Sequence, residues 1–364
     1  MAKPLCYHSL MAEASDTDDP AGLIRSTLPV PRRVPPRDAD THPLLAPLAE
    51  AQDTVARLEA TVATTSSAVV QGLRARVAYR EAAGWLAHAH TWLHPRDLAL
   101  RDAGLTGSYT AADLAGHLDA ELPTMAAQDS KPDMVPSDDM VGSALRLARL
   151  WRRLAEHRTW RPIADASAVQ DTLASLGWSV ASDDAAIEDW LHAARRRDRG
   201  PALIRAGHSA RDWMNRQGHR DPLATDGLFL AACVWRDAGF GRDIPLPFWS
   251  APVQLHHRLS LQIGTAWLAG FLACIAAAAR AAREELAGLQ RAETAGATLA
   301  RTTRSQLPRA VEHVLRSPVV TARGLAEDLA ITPQAALRLL RHLIAAGVIR
   351  EATGRAAWRA FTMA

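Results

Sequence analysis

Two helix-start signals close together near the C-terminus constrain this chain more than any other feature. Thr321 stands before the run 322–330, and Thr332-Pro333 stands before 334–346. A threonine oxygen can accept a free amide of the first helical turn. Proline suits the first helical position, where no amide hydrogen is required. Leu325 and Leu329 share one face of the first run; Ala336, Leu339, Leu340 and Leu343 share one face of the second. Ala326 sits where two helices so joined must cross closely, and a larger side chain there would push them apart.

The flanks complete a pattern. Upstream, 304–316 reads as a helix with Leu307, Val311, Val314 and Leu315 on one face, closed by Ser317-Pro318. Val319-Val320 can form a short strand. Downstream, Gly347 ends the second run, and 348–350 and 357–361 read as two strands turning at Thr353-Gly354-Arg355. Three helices and a hairpin in this order predict a winged helix-turn-helix, with Trp358 and Phe361 packing the wing to the helices.

In the last predicted helix Gln334, Arg338, Arg341 and Ala345 recur at one-turn intervals, flanked by Ala335 and His342. A polar, basic helix face of this kind suits the major groove of double-stranded DNA. Arginine can bond guanine, and glutamine adenine, through two atoms at once. Thr332, at the start of that helix, and Arg323, on the preceding one, complete the expected contact set. Arg355 at the wing tip would meet a phosphate or enter the minor groove. Charge agrees: from 300 onward there are ten Arg and four acids, while the rest of the chain sums to about −3. A winged helix used only for protein contact, as in a plasmid-maintenance factor or scaffold, is the alternative.

The remaining chain reads as mainly α. Residues 1–42, with acids, Ser and LPVPRRVPPRDAD, predict a disordered arm. Residues 43–127 form an N-terminal helical domain: an apolar stripe from Leu44 to Val62, then a helix over 73–93 holding Val77, Trp85 and Trp92 inside. A short helix at 96–104 follows, then one started by Ser108-Tyr109-Thr110 that carries Leu114 and Leu118. The polar stretch 128–140, with Pro132 and Pro136, predicts a linker or exposed loop. Residues 141–303 are a second helical domain and 304–364 the winged helix-turn-helix. Thr225 or Asp226 is expected to cap a buried helix through Leu228 and Val234, and Asp221, Asp226 and Asp237 show no partner. Arg195, Arg196 and Arg197 close another helix, where cations favour the dipole.

No catalytic constellation, cofactor motif or metal site is expected. His90 and His94 fall four apart on the second helix, but no Cys or acid at ligand spacing joins them. Cys6, Cys233 and Cys274 match no zinc or redox spacing and suit a reducing cytoplasm. From Val253 the chain reads as one helix to about Leu299, with 21 uncharged residues between Arg258 and Arg280. That length could span a bilayer. Its Ser, Gln, Gly, Thr and Ala content favours a buried central helix instead, so no membrane partner is expected. A homodimer through the helical body is an open possibility.

Taken together, LALRDAG at 98–104 and the run from Leu307 to Phe361 resemble a rhizobial and alphaproteobacterial family. Its members couple a helical domain of unknown function to a C-terminal helix-turn-helix, which implies DNA binding and supplies no ligand or operator. The tail is also similar to the winged helix behind many Fic-type adenylyl-transferase domains. Their HPFxxGNGR loop is missing here: His94-Pro95-Arg96 runs into Asp97-Leu98 with no glycine-rich cradle.

Overall fold

A computed structural model describes residues 42–105, 138–178, 180, 183–196, 200–300, 306–353 and 359–364. Among them, ten helices build the body: α1 (Leu45–Ala63), α2 (Ser67–His88), α3 (Pro95–Asp102), α4 (Asp138–Glu156), α5 (Ala166–Ser175), α6 (Asp184–Arg195), α7 (Ala202–Arg216), α8 (Thr225–Asp237), α9 (Val253–Ser260) and α10 (Gly264–Ala300). Three more helices and three strands form the C-terminal end: α11 (Leu307–Arg316), β1 (Val320–Thr321), α12 (Ala322–Leu329), α13 (Pro333–Ala345), β2 (Ile349–Glu351) and β3 (Ala360–Met363). The protein is mainly α, as the periodicity predicts.

The long helix α10 is the axis of the body. It packs against α1, α2, α7 and α9, and its far end reaches α11. Trp267, Phe271, Leu272, Ile275, Ala279 and Leu286 are buried along it. By length and composition the stretch Gly264–Leu299 could cross a membrane, yet 56% of its most apolar window is buried inside the protein. A helix covered by five others serves as the core of a bundle.

Three expectations change. The chain from Val253 is two helices, not one: α9 stops at Ser260, and Gly264 takes a left-handed φ of +59° before α10 begins. Leu261 and Ile263 in this break are 86% and 79% exposed. The second helix starts earlier and ends earlier than its apolar pattern suggests, at His88; His90 is left-handed, with φ +57°. Trp92 therefore lies outside the helix and is 74% exposed. His94 does not share a helix face with His90; its Nδ1 accepts the Arg96 amide at 3.1 Å and starts α3.

Asp226 is the third case. Ala224, not Thr225 or Asp226, stands at the cap position before α8 and makes no side-chain cap, and the Asp226 carboxylate is buried with partners. It accepts Trp213 Nε1 at 2.8 Å and lies 2.8 Å from His219 Nε2. Asp221 likewise faces His88, 3.9 Å away, and Asp237 faces Arg161 at 4.0 Å. Of the stretch 128–140, Asp138, Asp139 and Met140 already belong to α4. The rest of it, the 1–41 part of the arm and the helix expected near Leu114 and Leu118 lie outside the described residues.

A buried acid fastens the proline-rich crossing. Glu81 of α2 is fully buried and accepts the amides of Phe248, Trp249 and Ser250 at 2.8–2.9 Å, as well as the Ser250 hydroxyl. Gly84, one turn on, lets the Trp249 carbonyl come so close that an added Cβ would lie 1.8 Å from its oxygen.

Candidate nucleic-acid interface

The C-terminal helices form from local signals. Leu307, Ala310, Val311, Val314 and Leu315 give α11 one buried face. Thr321 Oγ1 accepts the Gly324 amide at 3.0 Å and starts α12; Thr332 Oγ1 accepts the Ala335 amide at 3.2 Å and starts α13. Between them Ala330 turns the chain in a left-handed conformation, with φ +54°. Leu325, Ala326 and Leu329 of α12 meet Ala336, Leu340 and Leu343 of α13 in the core, all buried. Leu339, expected inside, is only partly buried against that core.

The strands differ in position from their expected ranges. β2 pairs with β3 antiparallel, Arg350 opposite Thr362, and β1 pairs with the other edge of β3, Val320 opposite Phe361. The second hairpin strand therefore lies later in sequence than expected. The Ala352 amide reaches the Ala360 carbonyl at 2.7 Å, and the Ala360 amide reaches Thr353 Oγ1 at 3.0 Å; residues 354–358 between them lie outside the described residues. Phe361 is buried, as predicted. Arg355 and Trp358 lie outside the described residues.

One face of α13 is open. Gln334, Arg338, Arg341, His342 and Ala345 are exposed, as is Thr332; Ala335 is half-buried. The four acids of this region are each held by a neighbouring basic side chain. Glu312 lies 3.1 Å from Arg316, Glu327 2.8 Å from Arg323, Asp328 2.9 Å from His313 and Glu351 3.6 Å from Arg359. Arg338 and Arg341 make no ion pair among the described residues. The local acids are thus spent away from α13, whose outer face keeps uncompensated positive charge. Arg323 is exposed as expected, but its guanidinium is committed to Glu327, which raises its pKa above the ordinary value. It is a weaker candidate than Arg338 or Arg341.

The sequence pattern missed how this region is mounted. Arg76 of α2, a buried arginine, reaches the end of α11: Nη1 donates to the Leu315 carbonyl at 2.9 Å and Nη2 to the Ser317 carbonyl at 3.0 Å. Burial lowers its pKa to about 10, against the pull of Glu285 3.5 Å away. Gly72, one turn earlier, meets the same Leu315 carbonyl, and a Cβ there would lie 1.9 Å from it. On α10, Gly296 receives Val311, which a Cβ would meet at 2.5 Å. A buried arginine and two glycines facing one helix are visible as residues, but no local periodicity ties them to it.

Helices α12 and α13, packed together through the buried Ala326 and followed by an antiparallel hairpin, form a helix-turn-helix at the C-terminal end of the chain. Residues 307–364 match the model of a family described as an HTH DNA binding domain. The protein therefore carries a helix-turn-helix DNA-binding domain at its C-terminal end and is a DNA-binding protein. Comparison with curated proteins finds no match for the chain.

Proposed function

We propose that the protein is a cytoplasmic transcriptional regulator that reads the major groove of double-stranded DNA with α13. The observation that carries this reading is the exposed Arg338 and Arg341, without an ion pair among the described residues, beside Gln334 on a helix whose neighbouring acids are engaged elsewhere. Unpaired guanidiniums on an exposed helix suit two-atom contacts to guanine. Thr332, Ala335 and His342 border that face, and the loop at 353–355 is proposed as the wing that touches backbone or minor groove. Residues 1–42 are proposed as an arm, and the helical body as the domain that accompanies this head in the family it resembles.

The test is binding of the purified full chain to random and upstream duplexes at several salt concentrations. Sequence-dependent binding that weakens steeply with salt is expected. A salt slope with no sequence preference would leave a general chromosome-associated protein. The absence of any shift at low salt would end the proposal.

A further inference from the structure

The helical body contains a cleft that the DNA-binding head does not use. It lies where the segment after α4 meets the end of α6, the start of α7 and the end of α8. One lobe, about 200 Å³, is walled by Trp160, Pro162, Ile163 and the buried Cys233. A second, about 360 Å³, is lined by Arg195 and Arg205. The two share Ile163, Arg195 and Asp237, so they are neighbouring lobes of one depression.

The arginines differ in what they are already doing. Arg236 is spent: its terminal nitrogens bond the carbonyls of Leu154, His157, Arg158 and Trp160 and shape the wall. Arg195 gives one nitrogen, Nη2, to the carbonyls of Ile163 and Ala164. Its Nε and Nη1 have no acceptor among the described residues. Arg205, in the first turn of α7, makes no side-chain hydrogen bond among them, and its Nε is buried without a partner. A buried charged donor left without an acceptor is costly; the terminal nitrogens of Arg205, which also have no acceptor among the described residues, are the ones that a bound acid can reach. Asp237 also lines the cleft, but its paired cation is Arg161, and no ion pair joins it to Arg195 or Arg205.

We propose that this cleft binds a small organic acid, with its carboxylate on Arg205 and Arg195 and its apolar body against Trp160, Pro162 and Ile163. A guanidinium is a planar fork that matches a carboxylate through two parallel hydrogen bonds. The apolar lobe beside it favours a carboxylic acid with a hydrocarbon part over a bare inorganic anion. The site gives the body a sensing task, and it stands independently of what the head reads.

The experiment is calorimetric titration of the full-length protein with benzoate and hexanoate, with benzamide and inorganic phosphate as controls. Saturable binding of at least one acid at millimolar concentration is expected, with benzamide silent and phosphate weaker. Arg205→Gln should weaken that binding at least tenfold without lowering the unfolding temperature, because the Arg205 side chain makes no hydrogen bond among the described residues. If neither acid binds saturably, the proposal fails. It fails too if Arg205→Gln binds as the parent does, if benzamide binds equally well, or if phosphate binds tighter than the acids.

Discussion

The guanidinium of Arg76 donates to the carbonyl of Leu315 at 2.9 Å, across 239 residues of sequence. The last carbonyls of a helix have no partner within it. Here a side chain of the body supplies one for the first helix of the DNA-binding head. The contact joins the two parts by satisfying a need that each has separately.

Arg76→Met should therefore destabilise the protein by about 3 kcal/mol, since it leaves buried carbonyls without their donor and takes from Glu285 one of its two arginines, Arg80 remaining. Urea unfolding measures this. Limited proteolysis near residue 300 should speed up in parallel. Arg76→Lys should recover only part of the loss, because one ammonium cannot span the carbonyls that the fork spans. Equal stability of parent and Arg76→Met would remove the cap from the account.

Glycine substitutions separate close packing from helix propensity. Gly72→Ala puts a Cβ against the Leu315 carbonyl oxygen and should cost about 1–3 kcal/mol. Gly288, on α10, has only a flexible arginine tip within reach of such a Cβ, at 3.8 Å. Gly288→Ala should be neutral or stabilise by up to about 1 kcal/mol. Thermal unfolding of the pair decides: losses of similar size at both sites would contradict the tight junction.

On DNA, Arg338→Ala or Arg341→Ala should each cost about 1–3 kcal/mol on the preferred duplex and relax base preference. Arg323→Ala should cost less, because its guanidinium is already tied to Glu327. Arg355→Ala should weaken all sequences alike. Competition binding with single-base variants is the measurement, and silence of both helix arginines would move the groove contact elsewhere.

Ala330 holds the turn between α12 and α13 at φ +54°, a conformation that costs an L-residue about 1–2 kcal/mol. Ala330→Gly should recover up to about 1 kcal/mol, because glycine enters this region freely and loses part of the gain to its more flexible unfolded chain. Urea midpoints with and without the change test it, and a clear loss of stability would refute the strain.

Acid sensitivity should come partly from His256. Its Nε2 donates to the Phe248 carbonyl at 3.1 Å, and its Nδ1 is buried without a partner. Burial among Phe248, Trp249 and His88 lowers its pKa from 6.5 to about 4. The unfolded chain then binds the proton more readily, so His256 contributes stability above pH 6.5 that is lost as the pH falls through about 4. The loss amounts to about 3 kcal/mol at most. Glu81 acts in the opposite sense, since burial raises its pKa. His256→Phe should flatten the decline between pH 6.5 and 4; an unchanged slope would assign the effect to other groups.

Helices whose signals are local could be read from the sequence. Thr321 and Thr332 start the helices they were expected to start, and the face bearing Arg338 and Arg341 is exposed. What escaped depends on distant partners or on a single backbone angle. Gly264 alone, without a proline, divides what reads as one helix. Asp226 looks solitary until Trp213 and His219 are folded around it. Arg76 sits in an alanine-rich helix where nothing nearby announces that its acceptors lie beyond residue 310.

Gly72, Gly296 and Arg76 together hold α11, the first helix of the DNA-binding domain, against the body. A reading head on a slack tether must surrender its freedom of aim each time it meets a duplex. In this chain that freedom has already been given up when the protein folds. The separation between two such heads in any paired assembly would then be a length built into the protein, and half-sites moved by half a helical turn of DNA could not be accommodated by swivelling.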